Sequence, residues 1–188
     1  MNNKGFTLLE MVVAIGIFAI MTTLLLAKYG NFNQGILLTN LAYDVALTLR
    51  NAQSYGLNVK SASRSQNKFS FPYGVHFVKN VDNFIFFVDV VINGVYENQY
   101  PSDDLIDFDD DDISVYKIKR GSTISSLCVD DGNCISVDAL DISFKRPDPN
   151  AIIKSTRGIS SYAEIIVRAT DGNTKKITVR SNGQIAVE

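Results

Sequence analysis

A single carboxylate, Glu10, interrupts an apolar run that starts at Phe6 and continues to Ala27. An ionised group inside a membrane span costs about 3 kcal/mol on insertion scales, so it is ordinarily paired, turned to an interior contact, or placed at the membrane edge where it hydrates. Lys4 and Gly5 stand directly before the run. A cut between Gly5 and Phe6 would remove a basic leader and leave a new amine at the head of the apolar segment. Cys128 and Cys134 form a second reactive pair, in CVDDGNC. An even, closely spaced pair beyond a membrane span fits a disulfide in an oxidising compartment, worth about 2 kcal/mol for so small a loop; the alternative is two free thiols. Two thiols and the chain's one histidine, His76, do not make a zinc site.

Seven aspartates fall between Asp103 and Asp112. Asp109, Asp110, Asp111 and Asp112 are the candidate ligands there for a hard cation such as Ca²⁺. The spacing matches no defined Ca²⁺ loop, and Leu105, Ile106 and Phe108 interrupt it, so the segment reads as a solvated acidic loop and no cofactor is expected. Without these seven, the remainder carries 18 basic against 13 acidic residues, although the whole chain has a net charge of −2. Arg168, Lys175, Lys176 and Arg180 could form a basic patch for nucleic acid. The plainer reading is a set of solvent-facing residues on half-buried strands, and nucleic-acid binding is not expected. His76, between Val75 and Phe77, reads as a structural or surface residue. Phosphate-binding glycine loops, Ser-His-Asp sets and HExxH are absent from the sequence, so no enzyme is expected.

The elements that would position these residues follow from periodicity. Phe6–Ala27 as a helix would be about 33 Å long, close to the ~30 Å hydrocarbon core of a bilayer. A buried helix that is apolar all round would need a larger protein around it than 188 residues supply. The helix is expected to continue over 28–58. Leu37, Leu41, Val45, Leu49 and Ala52 recur at three- and four-residue steps, with Asp44, Thr48 and Asn51 on another face. Lys60–Lys68 reads as a loop. Strands are expected over Phe69–Lys79, Phe84–Ile92, Val95–Tyr100 after an Asn93-Gly94 hairpin turn, Ile113–Lys119, Thr123–Val129 and Cys134–Arg146. The end of the chain has the clearest alternation. Ala163, Ile165, Val167 and Ala169 alternate with other residues; Asp171-Gly172-Asn173 turns the chain; Ile177 and Val179 follow; and Asn182-Gly183 turns it into Ile185–Val187. One long helix and then only strands gives an α+β class, with a β-rich domain over 69–188 covered on one face by the helix.

A secretory signal has a shorter apolar stretch and small residues at a cleavage site after it; this chain has neither. Lys4-Gly5-Phe6-Thr7-Leu8-Leu9-Glu10-Met11-Val12-Val13-Ala14 resembles the prepilin signal of type IV pilins and type II secretion pseudopilins. In that family a short basic leader ends in Gly, Phe follows, and Glu stands at the fifth position of the apolar helix. The resemblance implies removal of residues 1–5 by a prepilin peptidase between Gly5 and Phe6, and N-methylation of Phe6. It implies assembly through an ion pair between Glu10 and the Phe6 amine of a neighbouring subunit. Heterologous, non-closing contacts of that kind build filaments, and two opposite charges desolvated together cost less than either alone. The partners implied are other pilins or pseudopilins and an inner-membrane assembly platform. The implied location is the bacterial inner membrane, single-pass, with the C-terminal domain in the periplasm or outside.

A second resemblance lies in Ile142-Ser143-Phe144-Lys145-Arg146-Pro147-Asp148-Pro149 and Val179-Arg180-Ser181-Asn182-Gly183-Gln184-Ile185. These strings are similar to the C-terminal domain of the H-type minor pseudopilins and related minor pilins. They imply a subunit of a short periplasmic pseudopilus that drives protein export by type II secretion. The alternatives are a type IV minor pilin serving pilus assembly, adhesion or DNA uptake, and an anchored domain that never polymerises.

Overall fold

A computed structural model describes residues 5–58, 71–89, 92–97, 114–130 and 133–188. One helix, α1, runs unbroken over Leu8–Leu57, about 75 Å at 1.5 Å per residue. Its first part is apolar enough to cross a membrane over Leu8–Leu26, and none of that stretch is buried by the rest of the chain. The second part carries the domain.

Eleven strands follow among the described residues: β1 (Tyr73–Val78), β2 (Asn83–Val88), β3 (Ser114–Lys117), β4 (Thr123–Val129), β5 (Ile135–Val137), β6 (Ala139–Phe144), β7 (Ala151–Ser155), β8 (Gly158–Ser160), β9 (Tyr162–Arg168), β10 (Thr174–Arg180) and β11 (Ile185–Val187). They form two antiparallel sheets, β3-β2-β1-β6-β7-β8 and β11-β10-β9-β4-β5. The class is α+β, consistent with a type IV pilin-like fold. The helix does not lie on one sheet, as the sequence suggested: it contacts β1 and β6 of the first and β9, β10 and β11 of the second.

That double seating widens the buried face of the helix. Leu38, Ala42, Val45, Leu49, Ala52 and Gly56 are buried, with Ala46 beside them. These positions step by four and three, the spacing of one helical face. Leu37 and Leu41, expected on this face, sit half-buried at its edge. Thr48, expected to be solvated, is buried, and its hydroxyl donates to the Asp44 carbonyl at 2.9 Å. Below the helix, Tyr73, Phe77, Ile142 and Phe144 of one sheet and Ile124, Leu127, Ile165 and Ile177 of the other are essentially inaccessible and form one core.

Gly56 sets how closely helix and sheet approach. A Cβ there would stand 2.3 Å from the Phe144 carbonyl oxygen. Beside it, the Gln53 side-chain amide donates to the carbonyls of Pro149 (3.3 Å) and Gly183 (3.2 Å). Gly183 needs its glycine twice over: its φ is +83°, and an added Cβ would meet the Pro149 carbonyl at 2.3 Å. Arg146–Pro149, with a cis Arg146–Pro147 bond, and Asn182-Gly183 are distant in sequence, and the helix end at Gln53 brings them together.

The terminal meander reads as expected. Ala163, Ile165 and Val167 are buried, β9 pairs with β10, and β10 pairs with β11. Three strand expectations need correction. Cys134–Arg146 is not one strand but β5 and β6, in different sheets, divided at Asp138. Asn93-Gly94 does not turn a hairpin, and Val95–Glu97 is not a strand. Instead the buried Asp89 carboxylate accepts from the Asn93 (3.2 Å) and Gly94 (2.5 Å) N–H groups. β2 takes β3 as its partner. β7 and β8 were not anticipated.

Candidate functional site

The N-terminal segment holds Gly5, Phe6, Thr7 and Glu10. Gly5, Phe6 and Thr7 precede α1 without helical structure, and Phe6 is 83% exposed. Nothing stands within 4 Å of where a Cβ on Gly5 would be. Packing against the described residues therefore places no demand for glycine at position 5. The Gly5–Phe6 bond joins two exposed residues and lies one residue before the helix cap.

Thr7 is the N-cap, with φ −78° and ψ 152°. Its hydroxyl oxygen accepts from the Glu10 N–H at 3.3 Å, and the Glu10 carboxylate accepts from the Thr7 N–H at 3.0 Å and the Thr7 hydroxyl at 2.9 Å. This is a reciprocal capping box, which satisfies otherwise unpaired N–H groups in the first turn. The carboxylate also sits at the positive end of the helix dipole. Glu10 therefore has an intrachain partner that the sequence reading missed, although Thr-x-x-Glu before an apolar run was its signal. All of this bonding uses Oε2; Oε1 has no hydrogen-bond partner among the described residues. One oxygen of the carboxylate is thus held by its own helix, and the other is unoccupied among the described residues.

Cys128 and Cys134 are joined as a disulfide, with Cα atoms 4.9 Å apart. Cys128 is buried in β4 and Cys134 is exposed just before β5, so the bond closes the β4–β5 hairpin. Asp109, Asp110, Asp111 and Asp112 lie outside the described residues. Among the described residues no group of three or more His, Cys, Asp or Glu side chains could hold a metal ion.

His76 does not stand alone. Its Nδ1 lies 2.7 Å from Oδ1 of the buried Asp141, and its ring packs 4.9 Å from that of Tyr96. The Tyr96 N–H also donates to Asp141, at 3.3 Å. The group ties segment 92–97 to the outer face of the six-stranded sheet. The four cations weighed as one patch are divided. Lys176 binds Glu164 (3.2 Å) and Glu188 (3.0 Å), and these hydrogen bonds hold its ammonium pKa above the ordinary lysine value, the Glu188 bond most. Arg180 lies over the Tyr162 ring, 5.1 Å from its centre. Arg168 and Lys175 stand at the other end of the same strands.

A sequence model of the prokaryotic N-terminal methylation motif matches residues 1–26. No curated protein and no solved structure matches the chain. Residues 1–26 carry the type IV pilin-like prepilin signal, which marks structural, pilin-like or pseudopilin-like subunits rather than enzymes. The match ends within the apolar part of α1 and does not extend over the globular domain.

Proposed function

We propose that this chain is a minor pseudopilin, a subunit of a type II secretion pseudopilus. It is inserted as a single-span precursor and cut between Gly5 and Phe6. It is then N-methylated on Phe6 and assembled through its N-terminal helix. In this reading residues 1–5 are the leader, 6–27 the anchor and later the filament core, 28–58 the domain-bearing half of the helix, and 69–188 the domain facing the periplasm.

The observation that carries the reading is the uncovered apolar helix preceded by an accessible Gly5–Phe6 bond and headed by the Thr7–Glu10 box. An apolar helix uncovered on every side needs lipid before assembly and neighbouring helices after it. Once the Phe6 amine exists, the open oxygen of Glu10 is an acceptor for the amine of a neighbouring subunit. The meeting of Pro149 and Gly183 at Gln53 gives the two strings that resemble the H-type pseudopilins and related minor pilins a common packing role.

Deletion of the encoding gene tests the system. Loss of extracellular enzyme secretion with twitching and transformation intact is the expected result. Intact secretion with lost twitching or transformation would instead make the chain a type IV minor pilin.

A further inference from the structure

The helix polarity and the strand register together give the domain a defined lower end. Gly56 and Gln53 abut Phe144, Pro149 and Gly183 at one end. Toward the other, a groove of about 530 Å³ runs along the helix from Leu37 to Asn51, with Lys117, Lys119 and Arg120 on its far wall. That second end faces the apolar stretch Leu8–Leu26. It also gathers the turns of both sheets. The Asn80 N–H donates to the Ile124 carbonyl (2.7 Å) and the Ile118 N–H to the Asp82 carbonyl (2.6 Å), joining the β1–β2 turn to the end of β3 and the start of β4. Thr123 and Thr174 both pair with Arg168, which brings the β9–β10 turn alongside. Leu140 pairs with both Phe77 and Ser155, which places the β7–β8 turn there too.

This end is basic. Lys117, Lys119, Arg120, Arg157, Arg168 and Lys175 lie on it, and none of the six has an ion-pair partner among the described residues. Lys79 is there also, donating to the Ser136 hydroxyl. The described carboxylates at this end are Asp44, Asp82, Asp138, Asp171 and Glu188, the last paired with Lys176 beside Lys175. Lys28 follows the apolar stretch in sequence. Leu37 lies eleven residues past Leu26, or about 16 Å along the axis. The headgroup layer takes up roughly 5–8 Å of that. The remaining gap is comparable with the ~8 Å Debye length at physiological salt.

We infer that this end of the domain is an electrostatic contact for the anionic phospholipid headgroups of the leaflet from which the helix emerges. The inference rests on Leu8–Leu26 spanning a bilayer. It concerns the membrane-stored subunit: the contact orients the domain over the bilayer and is given up when the helix leaves for the filament. Diffuse attraction between cations and headgroups requires no fixed pocket. That matches six cations spread over three turns and one strand end.

Hydrogen exchange on the full chain in lipid nanodiscs tests it. Phosphatidylcholine discs are compared with discs that also contain phosphatidylglycerol. Amides of residues 119–122 and 169–173 are expected to exchange slower by about an order of magnitude in the anionic discs. High salt should abolish the difference, and so should Lys119→Glu, Arg120→Glu and Arg168→Glu together. Amides near Gly56 should be unaffected, and unchanged exchange in the β9–β10 core reports that the variant is folded. Equal exchange in both discs, or protection that survives the triple substitution, overturns the inference. Protection by a DNA duplex in phosphatidylcholine discs without protection by phosphatidylglycerol overturns it in favour of nucleic acid. A chain that does not float with the discs refutes the membrane span itself, which keeps the two failures apart.

Discussion

Gly56→Ala and Gly35→Ala are the same substitution in the same helix and should move stability in opposite directions. At Gly35 nothing lies within 4 Å of the new methyl group, so alanine's better helix propensity stabilises by up to about 1 kcal/mol. At Gly56 the methyl carbon would sit 2.3 Å from the Phe144 carbonyl oxygen and 2.9 Å from its carbonyl carbon. An unstrained carbon–oxygen contact is about 1 Å longer. Phe144 cannot supply that movement, because it is paired on one side with Tyr73 and on the other with Ala151. The helix end must lift instead. Overpacking of this kind costs about 1–3 kcal/mol. Lifting also stretches the two Gln53 bonds to Pro149 and Gly183, each worth about 1 kcal/mol. The propensity gain of about 1 kcal/mol offsets only part. A net loss of about 2 kcal/mol is expected, or about 4–8 °C in Tm for a chain of this size. Thermal unfolding of the full chain in detergent, followed by near-ultraviolet circular dichroism of its tyrosines, measures both. Gly56→Ala as stable as the parent would refute the close seating of helix on sheet.

Further outcomes follow from single contacts. Thr7→Val removes the hydroxyl arm of the capping box, at about 1 kcal/mol of local helix stability, and leaves the Glu10 charge. Glu10→Gln keeps an oxygen for the Thr7 N–H and removes the charge. On the proposed function the first subunit enters sheared filaments and the second does not; equal incorporation would show that Glu10 serves only as a cap. Cys128→Ser should cost about 2 kcal/mol, read by denaturant unfolding without reductant, and reduction of the parent should reproduce it; no loss in either case would show that the bond is dispensable. Lys176 has a raised pKa through its bonds to Glu188 and Glu164. A base whose folded pKa is raised contributes its stability below the unfolded pKa and loses it as pH rises past the folded one. Lys176→Met should therefore flatten stability against pH only on the alkaline side of the ordinary lysine value, and a change confined to neutral pH would contradict the assignment.

Much of this architecture is readable because one physical signal dominates locally. The apolar run without breakers forces α1, and strict alternation over Ala163–Ala169, with turn residues on schedule, forces β9, β10 and β11. The misreadings occur where tertiary contacts outvote local pattern. Asn93-Gly94 has hairpin chemistry, but the buried Asp89 carboxylate takes both N–H groups. Cys134–Arg146 is one β-rich run, yet the chain changes sheets at Asp138, which periodicity does not register. β7 and β8 meet at Thr156-Arg157, a turn with no signature glycine or asparagine before Gly158. At the candidate site, Glu10 stands out as the one carboxylate in an apolar run, whereas Gly5 and Phe6 take their roles from the resemblance to the prepilin signal. The capping box is equally legible in Thr7-Leu8-Leu9-Glu10, where Thr stands three residues before Glu ahead of an apolar run. The basic lower end was not legible, because its cations come from separate turns that only the two-sheet register gathers.

The account depends most on what happens beside Gly5. Mass spectrometry of the N-terminus of the membrane-extracted protein addresses it directly. The expected species begins at an N-methylated Phe6, with residues 1–5 gone. A chain that still begins at Met1, or one cut at any other bond, would contradict the account.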